Sequence, residues 1–157
     1  MKQDQFLTGI LIGIGALIVL ALILFFTRQE KREYISDSTP EGVVHNYVLA
    51  TLNKDYEKAY DYLADLDNKP TEEEFKQSFL NGMVNPDNVG VDIDKVEIIG
   101  NDASVDLIIY YSYNDPFSSR YGSPDRANLV KQNGAWKLSY MPYSFWDYNW
   151  YQQPFTP

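Results

Sequence analysis

His45 is the chain's only imidazole, and there is no cysteine anywhere to join it in a ligand set. On a 3.6-residue wheel it sits about 60–80° from the centre of an apolar stripe formed by Val44, Tyr47, Val48, Thr51 and Leu52. From that flank it could border a cavity and act as a base, although a half-buried, hydrogen-bonded histidine is the plainer expectation. Tyr60, Tyr111 and Tyr113 are the other candidate pocket residues, since a phenol can donate or accept; filling a core is the duty their surroundings favour. Asp106 is a strand carboxylate opposite the apolar positions, so it is expected to face solvent. Asp65-Leu-Asp67-Asn68 opens like a calcium loop, but Lys69 and Pro70 follow where oxygen ligands and a flexible turn are needed. No glycine-rich phosphate loop follows a strand, and no serine stands in a nucleophile elbow. The residues therefore predict no catalytic set, no metal and no cofactor.

Three helices must position these groups. Thr39-Pro40 reads as an N-cap followed by proline at the first helical position, where its missing N–H costs nothing. Asn53-Lys54 is a tight break, after which Asp55 can cap a second helix with Tyr56, Ala59, Tyr60 and Leu63 on one face. Two amphipathic helices so closely joined should pack as a hairpin. Thr71-Glu-Glu-Glu74 is a capping box for a third helix, whose buried face is expected to be Phe75, Phe79 and Met83.

The hydrophobic period then shortens. Val89, Val91 and Ile93 alternate, then Val96 and Ile98 alternate in the opposite parity, which predicts a bulge around Asp94-Lys95. Gly100-Asn101-Asp102 is a turn, and Ala103 to Tyr113 is the clearest strand. Asn114 to Asp125, with two prolines and a glycine, reads as a long loop. Arg126 to Gln132 and Ala135 to Tyr140 are strands joined by the hairpin signal Asn133-Gly134. The fold class is α+β: three helices packed on a bent four-stranded antiparallel sheet. Its expected core includes Val44, Val48, Tyr60, Leu63, Phe75, Phe79, Leu107, Ile109, Leu129, Trp136 and Leu138.

The opening Pro40-x-x-x-Val44-x-x-Tyr47, the Asn53-x-Asp55-Tyr56-x-x-Ala59 that follows, and the closing Asn133-Gly134-x-Trp136-Lys137-Leu138 resemble the nuclear-transport-factor-2-like superfamily over residues 39 to 141. That resemblance implies a cone-shaped α+β domain, and among relatives it points to membrane-anchored bacterial proteins of unassigned function. Such cones serve as isomerases, dehydratases, oligomerisation modules and accessory domains, so it implies no single activity.

Ahead of this domain, Phe6 to Phe26 is 21 residues without a charge, long enough to span about 30 Å of hydrocarbon. A cleavable signal peptide would have a shorter apolar stretch followed by small residues; Phe25-Phe26-Thr27-Arg28 follows here, which favours an uncleaved anchor. Gly9 and Gly13 form a GxxxG that would let a second helix approach. Arg28, Lys31 and Arg32 outnumber Lys2, which argues for a cytoplasmic domain. The layout of a short tail, one apolar helix and a larger following domain argues for a signal anchor with the domain exported. The extracytoplasmic side is preferred. The chain divides on this reading into an anchor (1–27), a juxtamembrane linker (28–38), the α+β domain (39–141) and a C-terminal tail (142–157).

From Tyr34 onward, 9 Lys and Arg stand against 19 Asp and Glu, a balance that repels phosphate backbones and excludes nucleic acid as a partner. The tail is the oddest segment. Tyr143, Phe145, Trp146, Tyr148, Trp150, Tyr151 and Phe155 put seven rings into thirteen residues, which must cover the domain's own surface, a membrane or a partner. All seven are candidate partner-interface residues. The expected function is a non-catalytic, membrane-tethered binding or assembly module, an accessory single-pass subunit of a larger complex. Its expected partners are the lipid bilayer through residues 6–26 and other membrane proteins or a second copy. The alternative is a tethered enzyme or carrier holding a small apolar ligand in the cone.

Overall fold

The computed structural model describes residues 2–27, 33–111 and 122–152, with side chains in the first stretch described over 7–24. Helix α1 (Lys2–Thr27) is continuous, and its window Leu7–Leu24 is long and apolar enough to cross a membrane, with no part of it buried. Positions 9 and 13 have open space where a side chain would stand. The compact unit begins at Tyr34.

Each helix of that unit starts where its cap residue dictates. Helix α2 (Pro40–Leu52) is capped by Thr39, whose Oγ1 accepts from the Gly42 amide at 3.3 Å. Helix α3 (Tyr56–Asp61) is capped by Asp55. Helix α4 (Glu72–Leu80) opens on the complete capping box: Glu74 N–H donates to Thr71 Oγ1, and Thr71 N–H donates to Glu74 Oε2 at 2.8 Å. The Thr71 amide, and then the Thr71 hydroxyl, which also donates to Glu74 Oε2 at 2.9 Å, hold the Glu74 carboxyl below its ordinary range. Met83 does not join the buried face. The helix ends at Leu80, Asn81 caps it, Gly82 turns left-handed (φ 78°), and Met83 is left exposed.

Strands β1 (Val89–Ile99), β2 (Asp102–Tyr111), β3 (Gly122–Gln132) and β4 (Ala135–Tyr140) form an antiparallel meander in chain order. The β1–β2 register slips between Ile93 and Lys95, where the parity change placed a bulge. One expectation needs correction. The loop up to Asp125 is shorter than its prolines suggested, because residues 122–125 already pair with Tyr110 to Leu107. Pro124 is tolerated there because β4 pairs with β3 only from Asn128 onward, so nothing needs its missing N–H. Ile93 and Ile98 face the same side as Leu107 and Ala103 but remain exposed, since β1 is the sheet's edge. Tyr113 lies outside the described residues.

One contact was not anticipated. Residues 62–64 run parallel to β4: Ala64 N–H donates to Leu138 O at 2.7 Å, and Leu138 N–H to Tyr62 O at 2.8 Å. The second sheet edge is thereby covered. Between helices and sheet, Val44, Tyr47, Leu63, Phe75, Leu107, Ile109, Leu129 and Leu138 are fully buried; Phe79 and Trp136 are buried, and Val48 and Tyr60 only partly so.

The entry to α2 depends on glycine. A Cβ on Gly42 would stand 1.9 Å from Ser36 O. That close approach lets Asn46, buried, clamp the chain ahead of the helix: it accepts from Ile35 N–H at 2.9 Å and donates to Ile35 O at 2.7 Å. Gly42→Ala gains up to about 1 kcal/mol of helix propensity. It should still destabilise the domain by about 1–3 kcal/mol net, by pushing Ser36 away and orphaning the Asn46 amide. Thermal melting together with faster hydrogen exchange at the Ile35 amide is the check; a stabilised variant with a protected Ile35 would refute it.

Candidate functional site

The C-terminal segment supplies the unit's most concentrated chemistry. After β4, Met141 is buried and a short 3-10 turn, Tyr143–Phe145, drives Phe145 into the core, with Trp146 and Trp150 following it. Trp150 stacks on Phe75 of α4 with centroids 4.8 Å apart and meets Trp146 edge-on at 5.1 Å. Trp146 in turn stacks on Tyr151 at 5.6 Å. Offset and edge-to-face contacts of this kind add about 0.5–1.5 kcal/mol each beyond area burial.

Polar bonds fix this strap at four points. Tyr47 Oη donates to Phe145 O at 2.6 Å, and burial, then the neighbouring Tyr151, push the Tyr47 phenol well above its ordinary value, so it stays a donor. Ser78 Oγ donates to Asp147 Oδ2 at 2.7 Å. Tyr151 donates twice, from its amide to Asn68 O at 3.1 Å and from its hydroxyl to Ala64 O at 2.6 Å. Burial, then Tyr60, then Asp65 raise the Tyr151 phenol strongly. Tyr151 is left-handed (φ 61°), a strained state for a large side chain that such contacts must hold in place.

The seven rings therefore divide. Phe145, Trp146 and Trp150, named as interface candidates, are buried in this chain, where their rings join the core. Tyr151 is half-buried. Tyr143 and Tyr148 point outward, 69% and 81% exposed. Phe155 lies outside the described residues.

The described pocket candidates have separate settings. His45 is half-buried on α2. Tyr60 donates to Pro70 O at 2.9 Å and meets Phe75 edge-on at 5.6 Å, a structural role. Tyr111 reaches Ser144 Oγ at 3.5 Å and stacks with Tyr143 at 6.4 Å, so it supports the strap. Asp106 pairs with Arg126 at 2.8 Å across β2 and β3. Among the described residues no group of three His, Cys, Asp or Glu is placed to hold a metal. Among the described residues, clefts of about 260 Å³ beside the end of α4 and of about 490 Å³ between α4 and the strap open on the surface; His45, Tyr60 and Tyr111 line neither of these. Sequence reasoning passed over Asp147, the one acid in the tail, which is buried here. Its only local signal is the Asp-x-Asn spacing that lets Oδ1 accept from the Asn149 amide at 2.9 Å.

No family model and no curated protein sequence matches the chain. Solved structures similar to it include a SEC-C motif containing protein from Rhodopseudomonas palustris, 13% identical over 68% of this chain and 79% of that one, with a TM-score of 0.47. A protein of unknown function with a cystatin-like fold from Nostoc punctiforme is 15% identical over 61% and 80%, with a TM-score of 0.46. An NTF-2 like protein of unknown function from Shewanella oneidensis is 8% identical over 62% and 88%, with a TM-score of 0.41.

Proposed function

We infer that this chain is a non-catalytic, membrane-tethered binding or assembly module, an accessory single-pass subunit whose domain lies on the extracytoplasmic side and meets other membrane proteins or a second copy of itself. One observation carries the reading. The tail's inner rings, Phe145, Trp146 and Trp150, belong to the buried core, while Tyr143 and Tyr148 project from the same ordered segment. Exposed tyrosines on a rigid support offer contact area at low entropic cost, as interface anchors do. Gly9 and Gly13, with open space beside them, suit close approach by a second helix.

The test separates interface from core. A photo-reactive residue at position 148 should give a discrete cross-linked product in membranes, and a Tyr143→Ala/Tyr148→Ala double variant should lose the assembly seen on sizing in mild detergent. The same variant should melt within about 0.5 kcal/mol of the parent, as surface substitutions do. A monodisperse monomer without cross-links, in the parent as in the variant, would defeat the proposal.

A further inference from the structure

The cleft of about 490 Å³ between α4 and the strap is of a size that holds small ligands, and its lining is unusual. Asp147 lies in it, 6% exposed, and a carboxylate that buried is normally matched by a cation. Its partners here are all neutral: Ser78 Oγ at 2.7 Å on Oδ2, and the backbone and side-chain nitrogens of Asn149 at 2.9 and 3.0 Å on Oδ1. Among the described residues no Lys, Arg or His nitrogen lies within 4 Å of it. The one lysine lining the cleft, Lys69, holds its Nζ 4.6 Å over the ring of Tyr60. A carboxylate offers about four lone-pair positions, so three neutral donors stabilise it but leave acceptor capacity and no counter-ion in contact with it.

Glu74 brings a second carboxylate to the lining, its Oε2 taken by the Thr71 amide and hydroxyl, and Asn68, Gln77, Asn81, Met83 and Trp150 line the cleft with it. Two separate carboxylates among amides and apolar walls make a poor cage for a divalent ion, which needs six or more oxygens at short range. They suit a primary ammonium group on a short alkyl stem, whose N–H donors meet carboxylate and amide oxygens while its methylenes lie on the wall. The surplus of acidic residues from Tyr34 onward would raise the local concentration of such a cation. We propose that this cleft is a binding site for a small organic cation bearing a primary ammonium group, with Asp147 as its charge partner. The site does not depend on tethering or on the exposed tyrosines.

The probe is 1,4-diaminobutane, titrated into the full chain in nanodiscs and followed by amide and indole NMR shifts. Saturable shifts are expected at Ser78, Asn149 and the Trp150 indole. Asp147→Asn keeps an oxygen for Asn149 but removes the charge, and should weaken binding about tenfold or more. Lys69→Gln removes the competing cation from the rim and should tighten binding by roughly two- to fivefold. It serves as the deciding variant if Asp147→Asn fails to fold. The uncharged 1,4-butanediol should leave the same signals unmoved. Unsaturable shifts spread over the acidic surface, equal binding of the diol, unchanged affinity in Asp147→Asn, or weaker binding in Lys69→Gln would each overturn the proposal.

Discussion

Truncation after Pro142 is expected to abolish cooperative folding of the unit that begins at Tyr34. The deletion removes Phe145, Trp146 and Trp150, all buried, and strips partners from Tyr47, Ser78 and the carbonyls of Ala64 and Asn68. Truncating one buried Phe or Trp costs about 3–5 kcal/mol. The three are in contact, so their losses do not simply add. Even two of them consume most of the roughly 5–15 kcal/mol by which a domain is stable. The truncated chain should show no sharp thermal transition by circular dichroism, or one lowered by at least about 20 °C. Retention of the parent's melting temperature would mean that the strap is an ornament on an independently stable core, contrary to its burial.

Phe75→Ala should be the most damaging single substitution on α4. Phe75 is fully buried, and its ring lies 4.8 Å from Trp150, 5.1 Å from Phe79, 5.6 Å from Tyr60 and 6.4 Å from Tyr47. The alanine leaves a cavity that four other rings would have to collapse into, at a cost of about 3–5 kcal/mol. Because the strap's Trp150 stacks on this ring, the near-ultraviolet signal of the tryptophans should change with the loss of stability. Phe75→Leu, which keeps most of the volume, should lose distinctly less. A loss below about 1 kcal/mol in Phe75→Ala, by denaturant titration, would show that the cluster is loosely packed.

Local rules made the helix starts legible. Thr39, Asp55 and the Thr71–Glu74 box mark the positions where α2, α3 and α4 begin, because a cap satisfies amides within its own turn. The bulge beside Asp94 and the Asn133–Gly134 turn were readable for the same reason. Contacts distant in sequence left no such trace. The pairing of residues 62–64 with β4 spans over seventy residues, and the chain near Leu63 carries no strand pattern. Ser78 and Asp147, 69 residues apart, are each ordinary until the fold joins them. Gly122 and Pro124 read as loop because proline normally marks one, and only the position of β4 shows why a strand can hold it there. The tail's rings announced that something must be covered; which rings turn inward was decided by the 3-10 turn, to which the sequence gives no cue.

Asn46 and Tyr47 are consecutive residues of α2, and between them they hold both ends of the unit: Asn46 grips the backbone of Ile35, and Tyr47 holds the carbonyl of Phe145. One turn of α2 therefore couples the chain ahead of the helix to the chain after β4, so that a shift in the backbone at Ile35 has a two-residue route to the strap. The strap's other ties, to Ser78, Asn68 and Ala64, do not pass through that turn, and they would hold the tail in place while the entry to α2 loosens.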